Sequence, residues 1–162
     1  MPNGDMELDF GLTLPRDALS VPVVRHLCRS TLQRLGVEDA CVHEIELALS
    51  EASTNVLVHA AGPEDQYEVR VKISDDVCKI DVVDTGAGID LDALPVEPPV
   101  GAESGRGIQL MRALVDELQF ATKPHAGTAV QLTKALRLQP TSPLGRVLRR
   151  QSSAAAVDRP DG

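Results

Sequence analysis

Three polar side chains recur at four-residue spacing in one stretch of the chain: Glu51, Asn55 and His59. The apolar residues around them also recur at helical spacing and predict one buried helix face, formed by Ile45, Ala48, Leu49, Ala52 and Val56. At about 100° per residue, the polar row runs diagonally from the flank of that face toward its centre. An unpartnered buried polar group costs on the order of 1–3 kcal/mol, and a carboxylate costs more. Either neighbouring groups satisfy this row or it lines a ligand cavity, and the stretch alone leaves both interpretations open.

Two glycine-rich segments could complete such a cavity. Asp84 ends an apolar strand pattern and is followed by Gly86 and Gly88. It is either a turn residue bonded to its own backbone or a carboxylate that accepts a hydrogen bond from a ligand amine. Gly105 and Gly107 precede a helix, where free N–H groups could hold phosphate, although a tight turn would use the same residues. Neither segment matches a P-loop or a Rossmann fingerprint.

The elements that position these residues follow from apolar periodicity. Alternation predicts strands at 6–14, 67–73, 77–83, 117–122 and 128–136. Helical spacing predicts helices at 20–35 and 39–61 and a third after Gly107, preceded by a Pro-rich, acidic loop at 91–103 that is typical of a lid. This order predicts an α+β fold, a two-layer sandwich whose mixed, mostly antiparallel sheet is covered on one face by helices.

Composition predicts one domain at 1–136 and a tail at 137–162. The first part carries 22 acidic and 11 basic side chains, whereas the tail carries five Arg and two Asp. An acidic body opposes binding to nucleic acid and to anionic membranes but allows a basic protein partner. The tail shows no apolar stripe, so we expect it to be mostly disordered.

The three cysteines, Cys28, Cys41 and Cys78, lie in apolar contexts without metal-binding spacing, which predicts reduced cysteines in the core. The sequence shows no signal peptide and no apolar run of membrane-spanning length, so we expect a cytoplasmic protein.

Taken together and in this order, the segments resemble the Bergerat-fold (GHKL) ATPases over about residues 6–136. Within that group, Glu51-Ala-Ser-Thr-Asn-Val-Leu-Val-His-Ala60 and Glu103-Ser-Gly-Arg-Gly-Ile look most like the small serine protein kinases that act as bacterial anti-sigma factors. The resemblance implies ATP and Mg²⁺ as cofactors.

The resemblance also implies roles for individual residues. Glu51 would be the general base, and Asn55 would bind Mg²⁺. Asp84 would accept a hydrogen bond from the adenine amino group. Arg25 on the first helix would contact a partner protein, and His59 is expected to have a structural role. The nucleotide-binding set that the resemblance implies is Asn55, Asp84, Gly86, Gly88, Gly105, Arg106, Gly107 and Thr128.

The implied function is an ATP-binding anti-sigma factor that sequesters a sigma factor and phosphorylates a Ser or Thr on an anti-anti-sigma (STAS-type) antagonist. The segment between Gly88 and Gly105 is short and lacks a Thr-Thr-Lys element, which leaves open a nucleotide-dependent binding module without kinase activity. A nucleotide-free domain whose glycines are only turns is the third alternative. A homodimer is compatible with the family, and no direct contact with nucleic acid or membrane is expected.

Overall fold

The computed structural model of the chain describes residues 6–59, 66–84, 104–123 and 127–157. The strands are β1 (Glu7–Pro15), β2 (Gln66–Ser74), β3 (Val77–Asp84), β4 (Glu117–Lys123) and β5 (Gly127–Ala135). The helices are α1 (Ser20–Leu35), α2 (Asp39–His59), α3 (Ser104–Leu114) and α4 (Pro143–Val157). The strands form one sheet in the order β1-β2-β3-β5-β4, and all four pairings between these strands are antiparallel. The predicted α+β class is confirmed.

The two faces of the sheet differ in polarity because successive side chains of a strand point to opposite sides. In β2, Tyr67, Val69 and Val71 are buried beneath the helices. On the other face, Arg70 donates two hydrogen bonds to Asp9 of β1, from Nε at 2.9 Å and from Nη2 at 2.6 Å. The core therefore lies between the sheet and one layer of helices.

Helix α2 lies over the middle of the sheet against β3 and β5, with α1 and α3 beside it. Its predicted apolar face is confirmed, since Ala48, Leu49, Ala52 and Val56 are fully buried and Ile45 nearly so. This packing fixes the direction in which the polar residues on the flank of α2 point. Within the described part of the chain, no helix has both the length and the apolarity needed to span a bilayer.

All three cysteines are free thiols buried in the core, as expected. Burial raises the pKa of the Cys28 thiol to about 12 because a thiolate loses its solvation there, and the nearby Glu46 carboxylate adds to the shift. Burial raises the pKa of the Cys78 thiol as well. These thiols behave as small apolar side chains.

The prediction that residues 137–162 are disordered is wrong for residues 143–157, which form α4. The N-terminal signal is Ser142 followed by Pro143: the Gly145 N–H donates a hydrogen bond to Ser142 Oγ at 3.0 Å, and proline suits the first helical position. Leu144 is 1% exposed and anchors the helix to the core. A short apolar anchor with a strong cap is enough to order a segment that lacks a long apolar stripe.

The start of α4 packs against the turn between α1 and α2. Ser142 Oγ donates a hydrogen bond to the Leu35 carbonyl at 2.6 Å. Gly36 ends α1 with φ of 79°, and a Cβ added there would lie 2.6 Å from Ser142 Cα. Glycine is therefore required at position 36 both by the left-handed backbone and by the closeness of α4.

Candidate functional site

The register of the sheet brings Asp84 to a row that crosses three strands. Leu14 of β1 is opposite Tyr67 of β2, and Tyr67 is opposite Asp84 at the end of β3. Asp84 is 1% exposed although the strand pattern ends there. The carboxylate thus lies at the end of the sheet, in the same row as Tyr67.

Asp84 is held by an ion pair. Arg16 Nη2 donates a hydrogen bond to Asp84 Oδ1 at 2.7 Å, whereas Asp84 Oδ2 is buried without a hydrogen-bond partner in the described residues. This geometry favours the interpretation in which Asp84 faces a ligand.

The start of α1 is tied to the same row. Ser20 Oγ donates a hydrogen bond to the Asp17 carbonyl at 2.6 Å, so the Tyr67 hydroxyl, also 2.6 Å from Ser20 Oγ, acts as the donor between the two. Burial raises the pKa of Tyr67, and its bond with Ser20 opposes that shift. The hydroxyl stays protonated and fixes the β1–α1 connection beside Asp84.

Glu51 lies against the first turn of α3. A Cβ added at Gly107 would lie 2.7 Å from Glu51 Oε2, so only glycine allows this approach. A Cβ added at Gly105 would meet nothing within 4 Å among the described atoms. The structure therefore brings the predicted base and the predicted phosphate segment together, with Gly105 facing open space.

Asn55 follows Glu51 by one turn of α2. Its Nδ2 is buried without a hydrogen-bond partner in the described residues, and rotating the carboxamide by 180° would present the oxygen at the same place. Mg²⁺ is usually held by one or two protein oxygens together with waters and phosphates. Within the part of the chain that the structure describes, no group of three or more His, Cys, Asp or Glu could hold a metal alone. Asn55 fits a site that shares Mg²⁺ with a phosphate ligand.

Several predicted residues are only partly described. Gly86, Gly88 and the predicted lid at 91–103 lie outside the described residues. Thr128 pairs with Thr122 in the sheet, but its side chain is not among those described, and the same holds for the side chain of His59. Their roles stay predictions.

The two remaining predicted arginines are both described. Arg106 is exposed in the first turn of α3, and Arg25 is half-buried on α1 with its Nε shielded from solvent.

Comparison with known proteins identifies the family. Residues 14–134 match the family model described as the histidine kinase-like ATPase domain. The chain belongs to this family. The match begins at the end of β1 and ends in β5, so this ATPase domain includes every element that carries Asp84, Glu51 and Gly107, and excludes α4.

Among curated members, the chain is 29% identical over 136 residues to the serine-protein kinase RsbW of Bacillus velezensis, covering 77% of this chain and 84% of that protein. It is 32% identical over 100 residues to the anti-sigma F factor of Oceanobacillus iheyensis, covering 57% and 68%. A crystal structure of the RsbU and RsbW domains of a Mycobacterium tuberculosis protein aligns with a TM-score of 0.61 and 21% identity, over 82% of this chain and 34% of that chain. The resemblance inferred from sequence is confirmed.

Sequence reasoning did not find Arg16, Ser20 or Tyr67. Arg16 follows Pro15 with no motif around it, and its partner is 68 residues away, so only the strand register reveals the pair. Tyr67, near the start of β2, is the only tyrosine of the chain, which could have marked it as a polar group in need of a partner.

Proposed function

We propose that this chain is an ATP-dependent serine/threonine kinase that acts as an anti-sigma factor. It would sequester a sigma factor and phosphorylate a Ser or Thr of an anti-anti-sigma, STAS-type antagonist. The observation that carries the proposal is the half-buried Glu51 carboxylate, which lies against Gly107 and has no hydrogen bond or ion pair to a described residue. A carboxylate kept free beside a helix N-terminus is suited to taking a proton from an incoming hydroxyl.

The nucleotide would lie between the end of β3 and the first turn of α3. Asp84 Oδ2 would accept a hydrogen bond from the adenine amino group, which satisfies the one buried oxygen that Arg16 leaves free. Gly105, Arg106 and Gly107 would contact the phosphates, where N–H groups and the helix dipole favour negative charge. Asn55 would supply an oxygen to Mg²⁺. Three further residues complete the proposed nucleotide site: Gly86, Gly88 and Thr128.

Glu51 would accept the proton of the substrate hydroxyl while the hydroxyl oxygen forms a bond to the γ-phosphorus. The bond between that phosphorus and the β–γ bridging oxygen breaks, and ADP leaves. Mg²⁺, when bound, would offset the charge on the phosphate oxygens. The chain's own contribution is to place the carboxylate, carried by α2, against the first turn of α3.

Helix α1 offers a surface for a protein partner. Leu19, Val23 and Leu27 are 77%, 51% and 40% exposed and follow one another at four-residue spacing. Arg25 and Arg29 lie on the same helix, and Arg29 pairs at 3.5 Å with the buried Glu46. Exposed apolar side chains with basic neighbours are typical of a surface that binds another protein. We propose that α1 contacts the sigma factor, which would place the chain in the cytoplasm, and that a homodimer is a further use of such a surface.

Glu51→Gln tests the kinase proposal. The amide keeps the size of the side chain but cannot take the proton, so we expect phosphate transfer to a cognate antagonist to fall about 10²–10⁴-fold, while ATP affinity measured by calorimetry is retained. Glu68→Gln, on the exposed face of the sheet, is the matched control and should transfer phosphate normally. Undiminished transfer by Glu51→Gln would remove Glu51 from the role of base.

The alternative is a module that sequesters its partner in a nucleotide-dependent way without kinase activity. The exposed apolar side chains Leu19, Val23 and Leu27 favour this alternative, because binding a partner through them would not require the Glu51 carboxylate. If ATP tightens sigma-factor binding while no antagonist acquires label from γ-labelled ATP, the binding module is correct. If purified protein binds neither ATP nor ADP in the presence of Mg²⁺, both proposals fail.

A further inference from the structure

The ion pair between Arg16 and Asp84 has an asymmetric geometry. The Asp84 side chain is fully buried and that of Arg16 is 16% exposed, with 2.7 Å between Arg16 Nη2 and Asp84 Oδ1. Asp84 Oδ2 is also buried but has no hydrogen-bond partner in the described residues. An unsatisfied carboxylate oxygen in the interior is costly, so the arrangement is expected to have a ligand partner at that oxygen.

The chain around Arg16 is fixed by its own hydrogen bonds. The Asp17 N–H donates to the Pro15 carbonyl at 2.8 Å, and the Leu19 N–H donates to Asp17 Oδ1 at 2.8 Å. Ser20 closes the turn through its bonds to the Asp17 carbonyl and to the Tyr67 hydroxyl. The guanidinium is therefore presented to Asp84 from a rigid turn, which limits the rotamers that Asp84 can adopt.

We propose that Arg16 is a positioning residue for recognition of a 6-amino purine. Arg16 holds one oxygen of Asp84 and leaves the other facing the ligand. Because every N–H group of a guanidinium is a donor, Asp84 meets Arg16 as an acceptor. A carboxylate oxygen that accepts hydrogen bonds selects an amino group and rejects the carbonyl of a 6-oxo purine. This inference rests on the proposed ATP-binding function.

Calorimetry with three Mg²⁺-nucleotides tests the role of Arg16: ATP, inosine triphosphate with a 6-oxo group, and purine riboside triphosphate with hydrogen at that position. The native protein should prefer ATP over purine riboside triphosphate about tenfold or more, the typical effect of a hydrogen bond to a charged group. Arg16→Gln should lose most of that preference and bind inosine triphosphate with a smaller penalty. Its affinity for purine riboside triphosphate should change by less than about twofold, since that ligand does not use Asp84 Oδ2.

Arg70→Gln is the matched control, because Arg70 also pairs with an aspartate but on the outer face of the sheet. It should keep the native preference for ATP. If Arg16→Gln also keeps the preference for ATP, or lowers the affinities for ATP and for purine riboside triphosphate equally, Arg16 is not a positioning residue. If the native protein binds none of the three nucleotides, the proposed function fails instead.

Arg16→Lys provides the same test if Arg16→Gln does not fold. Lysine can still donate to Asp84 but lacks the planar guanidinium, so the carboxylate is less well oriented. We expect the preference for ATP to fall by about threefold, with purine riboside triphosphate binding unchanged. An unchanged preference, or an equal loss for both nucleotides, would contradict the proposal.

Discussion

Replacing Gly107 by alanine tests whether the first turn of α3 is built around Glu51. The added Cβ would lie 2.7 Å from Glu51 Oε2, so the oxygen must withdraw to at least 3.4 Å, where ordinary contact begins. Crowding of a packed site costs about 1–3 kcal/mol, and we use the low end because the crowding atom ends a flexible side chain. Alanine regains about 0.5–1 kcal/mol over glycine within a helix. We expect a net loss of up to about 0.5 kcal/mol, which corresponds to at most about 1–2 °C in Tm.

Two comparisons separate this clash from helix propensity. Gly105→Ala, in the same turn, adds a methyl group to open space and should be neutral or stabilising by up to about 1 kcal/mol. In a Glu51→Ala background, Gly107→Ala should change from destabilising to stabilising, since the crowding oxygen is gone. The assay is urea unfolding, followed by circular dichroism, of the native protein, the three single variants and the double variant.

The same substitution should also affect catalysis. Because the carboxylate is displaced, phosphate transfer should fall on the order of 10–100-fold, the usual effect of misplacing a catalytic group by up to an ångström. If Gly107→Ala changes stability equally with and without the Glu51 carboxylate, the close approach that we derive from the structure is wrong.

Three further predictions concern the rest of the fold. Gly36→Ala combines a left-handed backbone with a clash against backbone atoms, so it should lower the free energy of unfolding by about 2 kcal/mol or more, as measured by urea titration. A Cβ added at Gly11 would have no neighbour nearer than 3.9 Å, so Gly11→Ala should cost less than about 1 kcal/mol in the same measurement. Leu144→Ala should lower the free energy of unfolding by about 2–5 kcal/mol, as measured by thermal unfolding. Val147 is 38% exposed, so Val147→Ala should lower it by less than about 1 kcal/mol. Equal small effects of the two substitutions would show that α4 is not part of the folded domain. Burial raises the pKa of the Cys28 thiol from 9.0 to about 12 in the folded protein. Between these two pH values the unfolded state binds fewer protons than the folded state, so stability should fall as pH rises. In Cys28→Ala, the urea midpoint should fall less steeply with pH.

Much of the fold was predictable because local pattern and tertiary position agree. In β2, the alternation from Tyr67 to Ile73 reflects one buried and one solvated face, and the structure has both. In α2, the apolar stripe around Ala52 points to the sheet, which makes Glu51 and Asn55 the residues at its margin. Periodicity is a reliable signal where a single face decides the burial of a whole element.

What could not be predicted depends on contacts between distant segments. The pairing of Arg16 with Asp84 requires the register of three strands, and no local signal carries that register. Helix α4 depends on one cap and one deeply buried leucine, and Ser142 achieves its effect by bonding to Leu35 across 107 residues. The contact between Glu51 and Gly107 likewise requires α2 and α3 to be packed before it exists.

The burial of all three thiols gives the folded protein a surface without a reactive cysteine. A single cysteine introduced at the exposed Ser153 of α4 could therefore carry a fluorophore or a surface tether without first removing the native residues. Ser153 lies in α4, the helix whose Ser152 and Ala155 line a surface pocket with Asp75 and Asp76 of the β2–β3 turn, whereas Asp84 is at the opposite end of β3. A protein molecule tethered to a surface through position 153 would present its candidate nucleotide site away from that surface.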